Sequence, residues 1–213
     1  MSRHPTLIET VRVRSGIAPL WGHHLARLFD SCRAIGVPPP AKLQTPEGGA
    51  DRVHRLLVSA RGVQAEERPV GTAAPVRLVT SPVGHEPYPH KTTDRAQFDR
   101  AQADAESRGA DDGMMLVPGG WVAESSIWGI YWWEEGRLSG PPLELGILDS
   151  VARRRLAELV GGIAERRAAP GELTRHSVFV ANAVRGVVPV RSIDGNDVVS
   201  SSETAALAGA FWG

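Results

Sequence analysis

The stretch MMLVPGGWVAESSIWGIYWWEEGRLS, residues 114–139, decides the fold class. Met114 to Val117 is a short apolar run, and Pro118-Gly119-Gly120 turns the chain. Trp121 to Glu124 and Ile127 to Trp133 follow as two more runs of strand-forming residues, and Glu134-Glu135-Gly136 turns again into Arg137-Leu138-Ser139. Parallel strands need crossover connections of a dozen or more residues, and these connections are far too short for that. The spacing therefore predicts an antiparallel sheet.

Elements on either side extend this sheet into a mixed protein. Upstream, Asp94 to Arg108 reads as a helix, with Thr92 or Thr93 as its cap and Gly109 as its stop. Ser81-Pro82-Val83-Gly84-His85-Glu86-Pro87-Tyr88-Pro89, rich in breakers, is a linker or a functional loop. Ahead of it, residues 6–14 alternate as a half-buried strand, Ser15-Gly16 turns, and Ile17 to Leu20 is expected as the returning strand. Helices are expected over His23–Ile35 and Ala50–Ala60, the second with Val53, Leu56 and Leu57 as its apolar stripe, and Pro75 to Thr80 reads as a strand. Downstream, Asp149 or Ser150 caps a helix to Val160, Ser177–Ala181 and Val187–Ile193 are strands, and Ser201 or Ser202 caps a last helix ending near Ala210. The expected architecture is α+β and two-lobed, with a small lobe over residues 1–82 and a larger one over 83–213 built on a curved antiparallel sheet.

Composition excludes several classes. The 213 residues are 42% hydrophobic and 23% charged, as in an ordinary globular protein. Twenty-four basic residues balance 24 acidic ones, so the basic excess typical of nucleic-acid or anionic-membrane partners is missing. Apolar runs are too short for a membrane span, and Met1 to Pro5 carry no apolar leader, so neither a span nor a signal peptide is expected. Cys32 is the only cysteine, which suits a reducing compartment and predicts a cytoplasmic location. The seven histidines, at 4, 23, 24, 54, 85, 90 and 176, show no metal-ligand spacing, so they read as surface or core groups and no metal is expected. No nucleophile elbow, phosphate-binding P-loop or dinucleotide fingerprint occurs. Arg153-Arg154-Arg155 and Arg166-Arg167 read as solvated helix faces.

The basic residues are lopsided. Only Lys42 and Lys91 are lysines among the 24, and the rest are arginine. A guanidinium cannot lose its proton and attack a carbonyl, whereas an amine can, so a retained lysine is a candidate nucleophile. Lys42 follows a triple proline, but Lys91 follows Tyr88-Pro89-His90 and precedes a helix.

An ordered set of segments then carries a family resemblance. Glu9-Thr10-Val11-Arg12-Val13, His24-Leu25-Ala26-Arg27-Leu28 with Ser31-Cys32, and Ile35-Gly36-Val37 stand first. His90-Lys91-Thr92-Thr93-Asp94-Arg95, Gly109-Ala110-Asp111-Asp112 and Trp121-Val122-Ala123-Glu124 follow. Tyr131-Trp132 through Gly136-Arg137-Leu138, Pro141-Pro142-Leu143, Gly146-Ile147-Leu148, Val178 to Ala183 and Gly186 to Val190 complete it. In that order they resemble the class IV aminotransferases, the fold-type IV pyridoxal-phosphate enzymes. The resemblance implies pyridoxal 5'-phosphate as cofactor, a small-molecule amino substrate, and a homodimer. It assigns Lys91 as the amine that condenses with the cofactor's aldehyde and then shuttles protons. It places Glu124 opposite the pyridine nitrogen, Arg27 on the phosphate, and the N–H groups of Val151 and Ala152 at a helix start on the other phosphate oxygens, with Asn182 and Ala183 closing the pocket. Ala96 stands where branched-chain enzymes usually carry tyrosine, and Lys91 with Arg95 looks more like the lyase-type members. That implies release of pyruvate from aminodeoxychorismate to leave 4-aminobenzoate. Branched-chain or D-amino-acid transamination is the alternative, and a non-catalytic relative binding a phosphorylated ligand or a protein is another. Gly129, Ala152 and Asp149-Ser150 stand where many members carry Asn, Thr and Pro-Gly.

Overall fold

A computed structural model describes residues 5–213; Met1 to His4, and with them most of the leader reading and one of the seven histidines, lie outside the described residues. The chain begins with a three-stranded antiparallel sheet in the order β1-β2-β3: β1 is Leu7–Val13, β2 is Arg52–Ser59 and β3 is Gly62–Arg68. Helix α1, Trp21–Ile35, covers one face, where Leu28, Cys32 and Val37 meet Leu7, Leu56 and Val58. Leu7 pairs with Val58, Thr10 with Arg55, and Val53 with Arg68. Successive side chains alternate across a strand, so this register puts Ile8, Thr10, Val53, Arg55 and Arg68 together on the face away from α1.

The helix expected over Ala50–Ala60 is therefore strand β2. Val53, Leu56 and Leu57 have helical spacing, but β2 is the central strand, with Leu56 and Val58 packed under α1 and Val53 and Leu57 on the opposite face, so apolar residues on both faces blur the period-two pattern. Strand β3 was not anticipated, because every one of its residues is exposed and no apolar alternation marks it. Arg55 to Glu66 at 2.7 Å and Arg52 to Glu67 at 2.6 Å tie it to β2. The expected return strand Ile17–Leu20 shrinks to one bridge, Arg14 to Ile17, since β2 takes β1 as its partner instead.

The second sheet has nine strands: β4 Val76–Thr80, β5 Asp112–Val117, β6 Trp121–Ser125, β7 Gly129–Glu134, β8 Arg137–Gly140, β9 Ala164–Glu165, β10 Ser177–Asn182, β11 Gly186–Ile193 and β12 Asn196–Asp197. Their order is β6-β5-β4-β11-β10-β7-β8-β9, with β12 on β11. The sheet is mixed, unlike the expected antiparallel one: β4 runs parallel to β5 and β11, and β8 parallel to β9. Strand β4, expected with the first lobe, pairs here. Helices α2 (Ala96–Ser107), α3 (Val151–Val160), α4 (Pro170–Leu173) and α5 (Ser202–Ala210) pack around it. The alternation of β7 supplies two cores, with Ile130 and Trp132 joining Met114, Leu78 and Val180, and Tyr131 joining Phe179, Val151, Leu156 and Phe211. Each such fully buried side chain contributes about 1.5–3 kcal/mol. Helix α2 lies so close to β5 that a Cβ on Gly113 would sit 2.5 Å from the Ala101 carbonyl oxygen.

Two local expectations change. Helix α2 starts at Ala96 with Arg95 as an uncapped N-terminal flank, so neither Thr92 nor Thr93 caps it. The arginine run on α3 is not a solvated face. Arg153 is buried and bonds the Pro141 carbonyl at 3.1 Å and Glu165 at 2.8 Å, and Arg155 bonds the Phe211 carbonyl at 2.9 Å. Ser150 caps α3 and Ser201 caps α5, each accepting from the backbone three residues on. Among the described residues no helix is long and apolar enough to cross a membrane.

Candidate active site

A cavity of about 550 Å³ opens on the free face of the small sheet. Its walls come from β1 and β2, from α1 through Arg27, from the Lys91 loop, from residues 124–129, from the start of α3, and from residues 181–185. Arg27, Lys91, Glu124, Val151, Ala152, Asn182 and Ala183, distant in sequence, all line it.

Lys91 is held by its backbone. The Ile8 N–H donates to the Lys91 carbonyl at 2.8 Å, Thr92 bridges Leu7, and the Thr93 N–H donates to the Thr6 carbonyl at 2.9 Å. Tyr88 clamps the next residue: its hydroxyl donates to the Thr92 carbonyl and accepts from the Thr92 N–H, both at 2.6 Å. The amine itself has no hydrogen-bond or ion-pair partner among the described residues. Burial, followed by the charges of Arg27 and Arg95, holds it down to about 7 against the pull of Glu9 and Glu124. About half of it is then neutral near pH 7.

Part of the cavity wall offers donors that suit an anion. Arg27 is buried beside Glu9, donating from Nε at 3.0 Å and from Nη2 at 2.5 Å. His24 Nδ1 lies 2.5 Å from the same carboxylate. Burial alone would raise the Glu9 carboxyl, but the Arg27 charge and the bonds from His24 and Arg27 hold it at about 2. Burial pushes His24 below its ordinary value, against the pull of the Glu9 carboxylate. The first two residues of α3, Val151 and Ala152, line the same cavity, and their N–H groups have no protein acceptor among the described residues. A helix N-terminus with free amides in one cavity with a guanidinium suits a phosphate. The nearby Asp149 carboxylate is paired with Arg154 Nε at 2.9 Å and does not line the cavity. Gly129 leaves room for a phenol: a Cβ there would fall 2.6 Å from the Tyr131 hydroxyl, and one on Gly140 would fall 3.0 Å from the same ring. Asn182 uses its side chain internally, its Oδ1 accepting from the N–H groups of Val184 at 2.9 Å and Arg185 at 2.8 Å. Its side-chain oxygen is thus spent on the turn that carries this part of the cavity wall.

Glu124 also lines the cavity. Its Oε1 accepts from His85 Nε2 at 2.9 Å and from the Leu148 N–H at 3.3 Å, while Oε2 has no partner among the described residues. The segment after it is anchored by buried Asp112, which accepts from Ser125 Oγ at 2.6 Å and the Ser126 N–H at 3.1 Å. Arg95 donates to the Ser126 carbonyl at 2.7 Å.

The sequence reading missed four residues around this site. Arg55, Arg68 and Arg185 line the cavity, and His85 stands behind Glu124. Arg55 and Arg68 follow from the strand register and would have been visible had β2 been read as a strand. Arg185 stacks over Trp128 at 5.5 Å. The donor set fits pyridoxal phosphate: unpaired amides and a guanidinium for the phosphate, a partly neutral amine for the aldehyde, and a free carboxylate oxygen for the ring nitrogen.

Comparison with known proteins agrees with the geometry. The sequence pattern of the family called Amino-transferase class IV matches residues 55–193, more than half of the chain. Among solved structures, a provisionally named 4-amino-4-deoxychorismate lyase from Legionella pneumophila superposes with a TM-score of 0.84 at 20% identity, covering 98% of this chain and 91% of that one. A branched-chain aminotransferase from Thermoproteus uzoniensis gives 0.83 at 22%, covering 98% and 84%. A Brucella abortus aminotransferase bound to pyridoxal phosphate gives 0.81 at 17%, covering 97% and 87%. These likenesses show the fold. No curated protein matches the chain by sequence. With the fold-type IV architecture in place and the family pattern running from β2 through β11, the chain belongs to the class IV aminotransferase family of pyridoxal-phosphate enzymes.

Proposed function

We propose that this chain binds pyridoxal 5'-phosphate on Lys91 and acts on an amino substrate carrying two carboxylates, with aminodeoxychorismate lyase activity as the best reading. The observation that carries it is the charge of the cavity wall. Arg55, Arg68, Arg95 and Arg185 line the cavity in addition to Arg27, against Asp99 and Glu124 in the lining and Glu66, which pairs with Arg55 at 2.7 Å. Arg27 and the α3 amides suffice for a phosphate. Four further guanidiniums suit a substrate with two carboxylates and would be poorly matched to an apolar branched side chain.

The roles of the chain's own groups follow. Arg27 and the amides of Val151 and Ala152 bind the phosphate. Glu124 offers Oε2 to the ring nitrogen and keeps it protonated. When bound, pyridoxal phosphate supplies an electron-withdrawing ring that stabilises negative charge at the substrate's Cα. The Lys91 amine, half neutral near pH 7, carries the cofactor and moves a proton at the substrate's Cα. Arginines on the small sheet orient the substrate's carboxylates.

The test supplies pyridoxal phosphate and aminodeoxychorismate. Expected are a visible absorption band, borohydride-fixed cofactor on Lys91 by peptide mass, and 4-aminobenzoate with pyruvate as products. Amino transfer from branched-chain or D-amino acids to 2-oxo acids, without pyruvate release, would replace the lyase by the transaminase. A colourless protein with unmodified Lys91 would leave the non-catalytic relative. The family resemblance also leads us to propose a homodimer, which sedimentation of the holoprotein tests.

A further inference from the structure

We propose that His85 is a positioning residue for Glu124: its Nε2–H holds one oxygen of that carboxylate so that the other is presented to the ring nitrogen of the cofactor. The proposal rests on the reading that pyridoxal phosphate fills the cavity.

His85 comes from the breaker-rich segment before Lys91, and that segment is locked in place. The His85 N–H donates to the Leu116 carbonyl at 2.8 Å. Glu86 exchanges two bonds with the Gln97 side chain, its N–H donating at 2.7 Å and its carbonyl accepting at 3.0 Å. The Tyr88 N–H donates to the Gly146 carbonyl at 2.7 Å. The imidazole has no exposed surface and meets Phe98 edge-on, with ring centres 6.4 Å apart. A ring so placed has one direction in which to act, and Nε2 uses it on Glu124 Oε1 at 2.9 Å. A carboxylate accepts, so the shared proton sits on Nε2.

Packing alone does not account for this side chain. Nδ1 is buried without a partner, a costly arrangement that an apolar residue of similar volume would avoid. What the imidazole supplies is the Nε2 donor. Oε1 also accepts from the Leu148 N–H at 3.3 Å, so it is held from two sides, by the segment before Lys91 and by the segment leading into α3. Rotation of the carboxylate would break both bonds. Oε2 is therefore fixed as the free oxygen at the cavity, before any ligand arrives. Partners behind a ligating group commonly set its orientation in this way.

The experiment compares apo-protein affinity for pyridoxal phosphate with that for its 1-deaza analogue, in which carbon replaces the ring nitrogen. Both ligands keep the aldehyde and the phosphate, so only the Glu124 contact differs. In His85→Met, affinity for pyridoxal phosphate should fall about tenfold while affinity for the analogue stays within about twofold. In His85→Gln, whose amide nitrogen reaches the place of Nε2, both affinities should remain within about threefold of wild type. Equal losses for the two ligands in His85→Met, or no loss for either, overturns the positioning role. Should circular dichroism show His85→Met unfolded, His85→Asn replaces it; that amide is too short to reach Oε1, and the same selective loss is required of it. Wild-type protein that takes up neither ligand overturns the cofactor reading itself, an outcome distinct from an unselective His85 variant.

Discussion

Replacing Glu9 by glutamine removes the negative charge from a triad that holds Arg27 in place. Glu9 is 3% exposed, so solvent screening takes little from its interaction with Arg27 and His24. Despite the cost of burial, its carboxyl is held at about 2 where the ordinary value is 4.5. That depression corresponds to about 3 kcal/mol of folding stability at pH 7. The sign follows from linkage. A carboxyl lowered in the folded state stabilises fully above 4.5, and the contribution is lost as pH falls through about 2. Urea unfolding of wild type and Glu9→Gln, followed by tryptophan fluorescence, should thus show a gap of about 3 kcal/mol at pH 7 that narrows to about 1 kcal/mol at pH 3. The buried guanidinium left behind accounts for a loss of this size, since breaking a buried pair strands the surviving charge. A gap below about 1 kcal/mol at pH 7, or one that does not change between pH 7 and pH 3, would refute the assignment of Glu9 as the counter-charge of Arg27.

Two further outcomes test the site's construction. With only two lysines and the N-terminal amine to label, 13C-methylation gives few signals; the one lost in Lys91→Arg belongs to Lys91 and should titrate in the apo-protein with a midpoint near 7; a midpoint above about 9 would mean that burial and the Arg27 and Arg95 charges do not act on the amine. Gly129→Ala would set a methyl 2.6 Å from the Tyr131 hydroxyl, and Gly140 on the other side leaves the ring nowhere to swing. Thermal unfolding should show a loss of about 1–3 kcal/mol, partly restored by adding Tyr131→Phe, and an unchanged midpoint would contradict the close fit.

The order of segments along the chain made the seven residues that line the cavity legible, because each belongs to a local pattern such as the helix start at Ser150-Val151 or the strand end at Glu124. What escaped were residues placed by long-range register. Arg55 enters the cavity because Thr10 lies opposite it on β1, a pairing that nothing near residue 55 announces. Arg68 enters because β3, exposed throughout, extends the same face. His85 was read as one of seven unremarkable histidines, since its path depends on Gln97, Leu116 and Gly146 gripping the loop from three other elements. The arginine run on α3 illustrates the reverse error. Charge alone suggested solvent, yet Arg153 is buried and donates to the buried Pro141 carbonyl and to the exposed Glu165 carboxylate.

The bond from Ile8 to the carbonyl of Lys91 fastens the small sheet to the segment that carries the amine. Any rocking of that sheet must drag the lysine's main chain along or snap the tether. Cleft width and the position of the Lys91 main chain are consequently linked, since the small sheet cannot tilt away from that segment without giving up this bond. Room for a larger guest comes more directly from trimming side chains on the cavity face of the sheet, such as Val53 or Arg55, than from loosening the tether.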